Sequence, residues 1–240
     1  MINLHKTIDS FIGNEEVAGS SPAGSTRFNM KYQLAKSQYQ QNKAGWQKSF
    51  LEGLSQDSKG SALPWMTYPF IEFILTKLQP HHKIFEFGSG SSTLFFAPKV
   101  QKIVALESNK KWREIMQIML CEVGAKNVEL VLMEDALENP AYENFAQDYI
   151  AKFKNSAPDL QNNIEKFDFV IVDSLKRFAC AQNSIEAIKP GGAIILDDSE
   201  RPHYKKIFDF FAEKGFQKQD FFGIAPGQFR IKNTTIFWKN

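Results

Sequence analysis

Short apolar runs punctuate the chain from residue 83 onward, separated by stretches with helical spacing. The runs at 83–87, 102–107, 127–133, 167–173 and 193–196 are too short for buried helices and read as strands buried on both faces. Before the first of them, Ile71, Ile74, Leu75 and Leu78 share one face of a helix over 68–78. Pro69 fits its first turn, and Pro80 stops it. Ile115, Ile118 and Met119 mark a helix closed by Gly124. Tyr142, Phe145, Ala146, Tyr149, Ile150 and Phe153 make the cleanest 3.6-period stripe, followed by a polar loop over 155–163. Tyr204, Ile207, Phe208 and Phe211 give another amphipathic helix behind Pro202. Strands alternating with helices predict a doubly wound α/β sheet. The end of the chain breaks that rhythm. A strand through Phe221 and Phe222, a Gly/Pro turn over 223–227 and a last strand over 234–238 are joined too closely for a parallel crossover, so they pair antiparallel. Residues 1–60 are polar with weak helical spacing and read as helical pieces or partial order. The expected division is an N-terminal polar or helical extension over 1–62, acting as an arm or cap, and a Rossmann-like domain over 63–240.

Composition narrows the class. A chain of 240 residues with 43% hydrophobic and 23% charged residues is long enough for one sizeable core. A net charge of +2 lacks the concentrated positive charge of a dedicated nucleic-acid binder, so no nucleic-acid partner is expected. No run of eighteen apolar residues occurs, so no membrane span is expected. Residues 1–13 lack the pattern of a secretion signal. Cys121 and Cys180 fall in expected helices and read as free or buried thiols of a reducing compartment, which makes a cytoplasmic location the expectation. The 22 phenylalanines are spread over many elements and read as core and helix–sheet packing.

The chemistry concentrates in Lys83-Ile84-Phe85-Glu86-Phe87-Gly88-Ser89-Gly90-Ser91-Ser92-Thr93. An apolar strand carrying Glu86 turns through two glycines into a helix whose first N–H groups face any ligand over the turn. A dinucleotide fingerprint requires a third glycine where Thr93 stands, and Glu86 would repel a pyrophosphate. Glu86 suits a ligand with an ammonium or sulfonium charge. Glu107 ends the second run nineteen positions after Gly88, the spacing of a carboxylate that accepts hydrogen bonds from a ribose diol. Asp135 follows the third run, Asp173 ends the fourth, and Ile188-Lys189-Pro190-Gly191-Gly192 precedes the fifth.

In these residues the chain, over 81–240, resembles the class I S-adenosylmethionine-dependent methyltransferases, whose first motif is acidic-x-Gly-x-Gly-x-Ser/Thr. The resemblance implies a seven-stranded sheet of order 3-2-1-4-5-7-6 with strand 7 antiparallel. It implies S-adenosylmethionine as cofactor, contacted by Glu86, Gly88, Ser89, Gly90, Ser92, Thr93, Glu107, Asp135, Ala136 and Asp173. Asp173 with Asp197 and Asp198 is similar to the carboxylate set that holds Mg²⁺ or another divalent cation in catechol-type O-methyltransferases, although the usual Asn is Asp or Ser here. The other reading makes Asp173, Asp198 or His203 a general base or substrate anchor. Trp65 and Tyr68 stand where rings can roof a cofactor pocket, or simply pack on the sheet edge. His81 and His82, just before the first strand, read as surface residues. The expected activity is methyl transfer to a small-molecule acceptor, at oxygen since the Asn-Pro-Pro-Tyr type signature of amino-group methylation is absent after the fourth strand. A non-catalytic binding or assembly protein that keeps the fold is the alternative. A nicotinamide-dependent oxidoreductase is disfavoured by Thr93 and by the terminal hairpin.

Overall fold

The computed structural model describes residues 22–156 and 166–239. The segment before Pro22, the side chain of Phe153 and most of the loop read over 155–163 lie outside the described residues. The strands are β1 (Lys83–Phe87), β2 (Lys102–Glu107), β3 (Val128–Leu132), β4 (Phe167–Val172), β5 (Ile188–Leu196), β6 (Gln217–Gly223) and β7 (Lys232–Trp238). They form one sheet of order β3-β2-β1-β4-β5-β7-β6. β1 to β5 are mutually parallel, while β7 runs antiparallel to both β5 and β6. The antiparallel end follows from the short β6–β7 link, which leaves no room for a crossover helix.

The helices are α1 (Pro22–Glu52), α2 (Tyr68–Leu75), α3 (Ser91–Phe96), α4 (Lys110–Glu122), α5 (Ala141–Ser156), α6 (Arg177–Asn183) and α7 (Lys205–Glu213). Alternate residues of each central strand feed two separate apolar layers. Ile84, Ile103 and Ile171 join Phe70, Phe96 and Met116 on one face. Phe85, Val104 and Val170 join Tyr142, Ala146, Cys180 and Phe211 on the other. Aromatic contacts run through both layers, as with Phe211 stacked on Phe237 at 4.4 Å and Phe70 edge-on to Phe221 at 5.6 Å. Cys180 is buried and Cys121 exposed, both free. Among the described residues no helix is long and apolar enough to cross a membrane.

Two elements depart from the sequence reading. β5 starts at Ile188 and not at Ala193, because the Lys189–Gly192 turn is absorbed as a register shift between Phe167 and Phe169 of β4. Gly191 takes a positive φ of 76° there, which permits the irregularity. The polar N-terminal region contains one continuous helix of 31 residues. Its buried positions, Ala35, Gln38, Tyr39, Gly45, Trp46 and Ser49, follow helical spacing, but all except Tyr39 and Trp46 are polar or small. The Trp46 indole donates to the Gln228 carbonyl at 3.1 Å and meets Phe229 edge-on at 4.7 Å. The Gln38 amide oxygen accepts from Ile224 N–H at 2.9 Å just beyond β6. α1 is thereby fastened to the β6–β7 end of the sheet.

Candidate cofactor and active site

The carboxyl ends of β1, β2 and β4 meet at the point where the strand order reverses, and the glycine loop lies there. Gly88 N–H donates to Leu106 O at 2.9 Å, and Asp173 N–H to Phe87 O at 3.3 Å, which pins the loop between its neighbours. Gly88 has a φ of 104°, and a Cβ added there would stand 3.0 Å from the Asp173 carbonyl oxygen. Both facts require glycine. Gly90 differs: its backbone is extended, and an added Cβ would meet nothing within 4 Å. Its smallness leaves room above the loop.

Glu86 points its carboxylate inward from β1 with 2% of the residue exposed, and among the described residues neither oxygen has a hydrogen-bond partner. Burial pushes its carboxyl up from 4.5 to about 7; the Thr93 and Ser92 hydroxyls ease ionisation slightly, and the Asp173 charge opposes it. Thr93 Oγ1 is engaged with Gly90 N–H at 3.1 Å. Glu107, also buried, accepts from Ser108 and Asn109 N–H at 2.8 Å through Oε1, and from the Ser89 hydroxyl at 2.7 Å through Oε2. These bonds fix the carboxylate at the strand end and leave accepting capacity on Oε2. The Glu107 carbonyl accepts from Met133 N–H at 2.9 Å, so the segment after β3 abuts it. Asp135 there is exposed and left-handed, with a φ of 56°, while Ala136 beside it is buried. Trp112 of α4 donates its indole N–H to Ser89 O at 2.9 Å and steadies the loop from outside.

On the far side of Gly88 lies a dense charge cluster. Ligand oxygens of Asp173, Asp197 and Asp198 lie within 4.8 Å of one another, so the structure brings the three residues together as the sequence implied. Protein cations, however, fill the space among them. Lys232, 2% exposed, bonds Asp197 Oδ2 directly, lies 2.7 Å from Asp198 Oδ1 and donates to Trp65 O at 2.9 Å. Burial works against the Lys232 ammonium, but Asp197, Asp198 and Asp173 hold it above the usual lysine range. Arg177 donates to Asp173 Oδ1 at 2.8 Å and lies 3.6 Å from Asp198. Arg201 and Arg230 also pair with Asp198.

This surrounding weighs against two expectations. Burial alone would raise the Asp198 carboxyl, but Lys232, Arg177 and Arg230 bring it down to about 2, too low for a general base at neutral pH. The carboxylate set does not fit a divalent cation either, since Lys232 already takes the oxygens that would bind one. His203 is exposed and edge-on to Tyr204 at 4.2 Å, with no hydrogen bond or ion pair to the cluster among the described residues. Asp173 is the most exposed carboxylate of the cluster, its side chain 35% exposed against 2% for Asp197 and 7% for Asp198. Burial beside the sheet and the Asp197 charge push the Asp173 carboxyl up, against Arg177 and Lys232. Tyr68 is buried, its hydroxyl without a hydrogen-bond partner among the described residues, and Trp65 is 43% exposed. His81 is exposed as expected, whereas His82 is half-buried, its ring edge-on to Phe169 at 5.3 Å.

Strand order, the antiparallel β7 and the glycine loop after β1 now stand together. The fold is that of the class I methyltransferases. No family model matches the sequence, and no curated protein matches it. Among solved structures the chain is similar to an rRNA methylase from Streptococcus thermophilus, at 15% identity and a TM-score of 0.48, over 71% of this chain and 96% of that one. It is similar to a methyltransferase from Pyrococcus furiosus at 17% identity and a TM-score of 0.47, over 85% and 98%. A precorrin-6y C5,15-methyltransferase from Geobacter metallireducens gives 16% and 0.45, over 75% and 93%. Within this methyltransferase fold, sequence reasoning paired Asp173 with Arg177, as the structure shows, but missed Lys232 and Arg230. A signal existed for Lys232. Leu196 pairs with Thr235, so the antiparallel register carried past the strand end sets Asp197 and Asp198 against the start of β7.

Proposed function

We propose that this chain transfers a methyl group from S-adenosylmethionine to an oxygen of a small-molecule acceptor. The observation that carries the reading is Glu86: a buried carboxylate whose oxygens have no hydrogen-bond partner among the described residues, two residues before Gly88 in the loop that turns through Gly88 and Gly90. A buried unpaired acceptor is costly unless a ligand donor completes it; an ammonium supplies both the donor and a positive charge, and a sulfonium supplies the charge. Glu107 has the remaining accepting capacity for a ribose hydroxyl. Asp135 and Ala136 border the adenine end of the same cleft in this reading, and Ser89, Ser92 and Thr93 line the loop. The cofactor supplies an electrophilic methyl group and leaves as a neutral thioether.

The residues of the chain do the rest. The loop and Glu86 fix the donor end, and alignment of two reactants can supply about 7–11 kcal/mol of the barrier. Asp173 is the cluster's most exposed carboxylate and its carboxyl is raised, so it takes the proton of an acceptor hydroxyl, and Arg177 stabilises the anion until the proton arrives. Such a base contributes a factor of about 10²–10⁴.

The test is calorimetric binding of S-adenosylmethionine, followed by an acceptor screen scored by S-adenosylhomocysteine. Asp173→Asn should lower kcat by about 10²–10⁴ while cofactor affinity changes far less. A well-folded protein that neither binds the cofactor nor yields S-adenosylhomocysteine overturns the reading and favours the non-catalytic alternative.

A further inference from the structure

We infer that Lys232 is a resident cation, an ammonium built into the place where a divalent metal would bridge Asp197 and Asp198. Three observations converge. First, ligand oxygens of Asp173, Asp197 and Asp198 approach within 4.8 Å, a separation at which cations among the carboxylates, or a proton retained on one of them, must offset the like charges. Second, the Lys232 ammonium lies among them, bonded to Asp197, 2.7 Å from Asp198 and 2.9 Å from the Trp65 carbonyl. Its three N–H donors thus have three acceptors, all of them oxygen, the donor set a hard cation would choose. Third, Asp197 turns its other oxygen to the Thr234 hydroxyl at 2.7 Å, so both Asp197 oxygens are committed inside the protein. No vacancy is left for a metal unless the lysine leaves, and a lysine with 2% exposure anchored at three oxygens has nowhere solvated to go.

The arrangement has a mechanical consequence. Lys232 begins β7, Asp197 and Asp198 follow β5, and Trp65 precedes α2. One ammonium therefore ties three separate chain segments at the edge of the cleft. By binding Asp197 and Asp198 it leaves Asp173 as the cluster's most exposed carboxylate. Lys232 is a positioning residue: it does for the site what a structural cation would do, and the site works without added metal.

The test uses the metal alone. Mn²⁺ is titrated into the full chain and followed by electron paramagnetic resonance, with no cofactor present. Wild type should leave the free Mn²⁺ signal unattenuated at the cluster. Lys232→Ala, which empties the cage and keeps the carboxylates, should acquire one Mn²⁺ site that disappears in Lys232→Ala/Asp197→Asn. Its melting temperature should rise with Mn²⁺, whereas that of wild type should not. A wild-type Mn²⁺ site lost in Asp197→Asn overturns the inference, and so does a folded Lys232→Ala variant without an Asp197-dependent site. If Lys232→Ala does not fold, the wild-type titration against Asp197→Asn decides alone. The inference builds on the proposed site but reads metal binding, so it stands or falls separately from methyl transfer. Under the methyltransferase reading, wild-type turnover should also be unchanged by EDTA.

Discussion

Glu86 links the site to pH. Its carboxyl rises from 4.5 to about 7 on folding, chiefly because the carboxylate is buried. An acid raised in this way favours the folded chain below pH 4.5, and the advantage is lost as pH climbs to about 7. Above that both states are ionised, and the accumulated cost is about 3 kcal/mol. Glu86→Gln cannot ionise, so it should melt higher than wild type at pH 8 and match it near pH 4. The same substitution removes a charge-assisted acceptor, so S-adenosylmethionine affinity should fall by roughly tenfold to a hundredfold. A pH series of thermal melts with parallel calorimetry reads both effects. Greater stability with unchanged cofactor affinity would remove Glu86 from the site and leave it a strained core residue. In wild type, cofactor affinity should grow as pH rises towards 7, because the ionised form is the one that meets a cationic ligand.

Elements differ in how openly the sequence states them. β1, β2 and β4 are buried on both faces, so their apolar runs and terminal acids were legible from local pattern alone. α1 was not, because Gln38, Gly45 and Ser49 sit on its buried stripe and erase the apolar period. Lys232 was hidden for another reason. Its partners are 35 and 34 positions away in sequence, and only the β5–β7 register brings them together. The acids were visible at strand ends and Arg177 and Arg201 lie within four residues of theirs, but Lys232 and Arg230 reach the cluster only through tertiary pairing. Gly45 makes a sharp test of how α1 is seated. Helix propensity alone predicts that Gly45→Ala stabilises by about 1 kcal/mol. The added methyl would stand 2.9 Å from the Asp57 backbone carbon, so the variant should be less stable in urea unfolding. Trp46→Ala, which removes a fully buried ring and its bond to Gln228, should cost about 3–5 kcal/mol. If both variants unfold at the wild-type midpoint, α1 is not docked on the β6–β7 end as described.

For the whole molecule, the proposed site is a junction between otherwise separate parts of the sheet. Glu86 comes from β1, Glu107 from β2, Asp135 from the segment after β3, and Asp173 from the end of β4. These parts are joined by backbone pairing within the sheet, and beyond the strand ends by side-chain bonds such as Ser89 to Glu107 and Trp112 to Ser89. A ligand that engages all four strand ends binds only the folded arrangement. At a concentration 100 times its Kd it should stabilise the chain by about 2.7 kcal/mol. For a protein of this length each kcal/mol moves Tm by about 2–4 °C. S-adenosylmethionine should therefore raise Tm by several degrees, and S-adenosylhomocysteine, which shares the ribose and adenine, should do the same. A nicotinamide dinucleotide should not, since Glu86 repels its pyrophosphate and Thr93 replaces the third glycine. Glu107→Ala should abolish the shift without unfolding the apo protein, because its Ser89, Ser108 and Asn109 donors all lie at an open edge that water can reach. A shift that persists in Glu107→Ala would place the ligand elsewhere. A wild type that melts at one temperature with and without either ligand would leave the methyltransferase fold serving binding or assembly in place of catalysis.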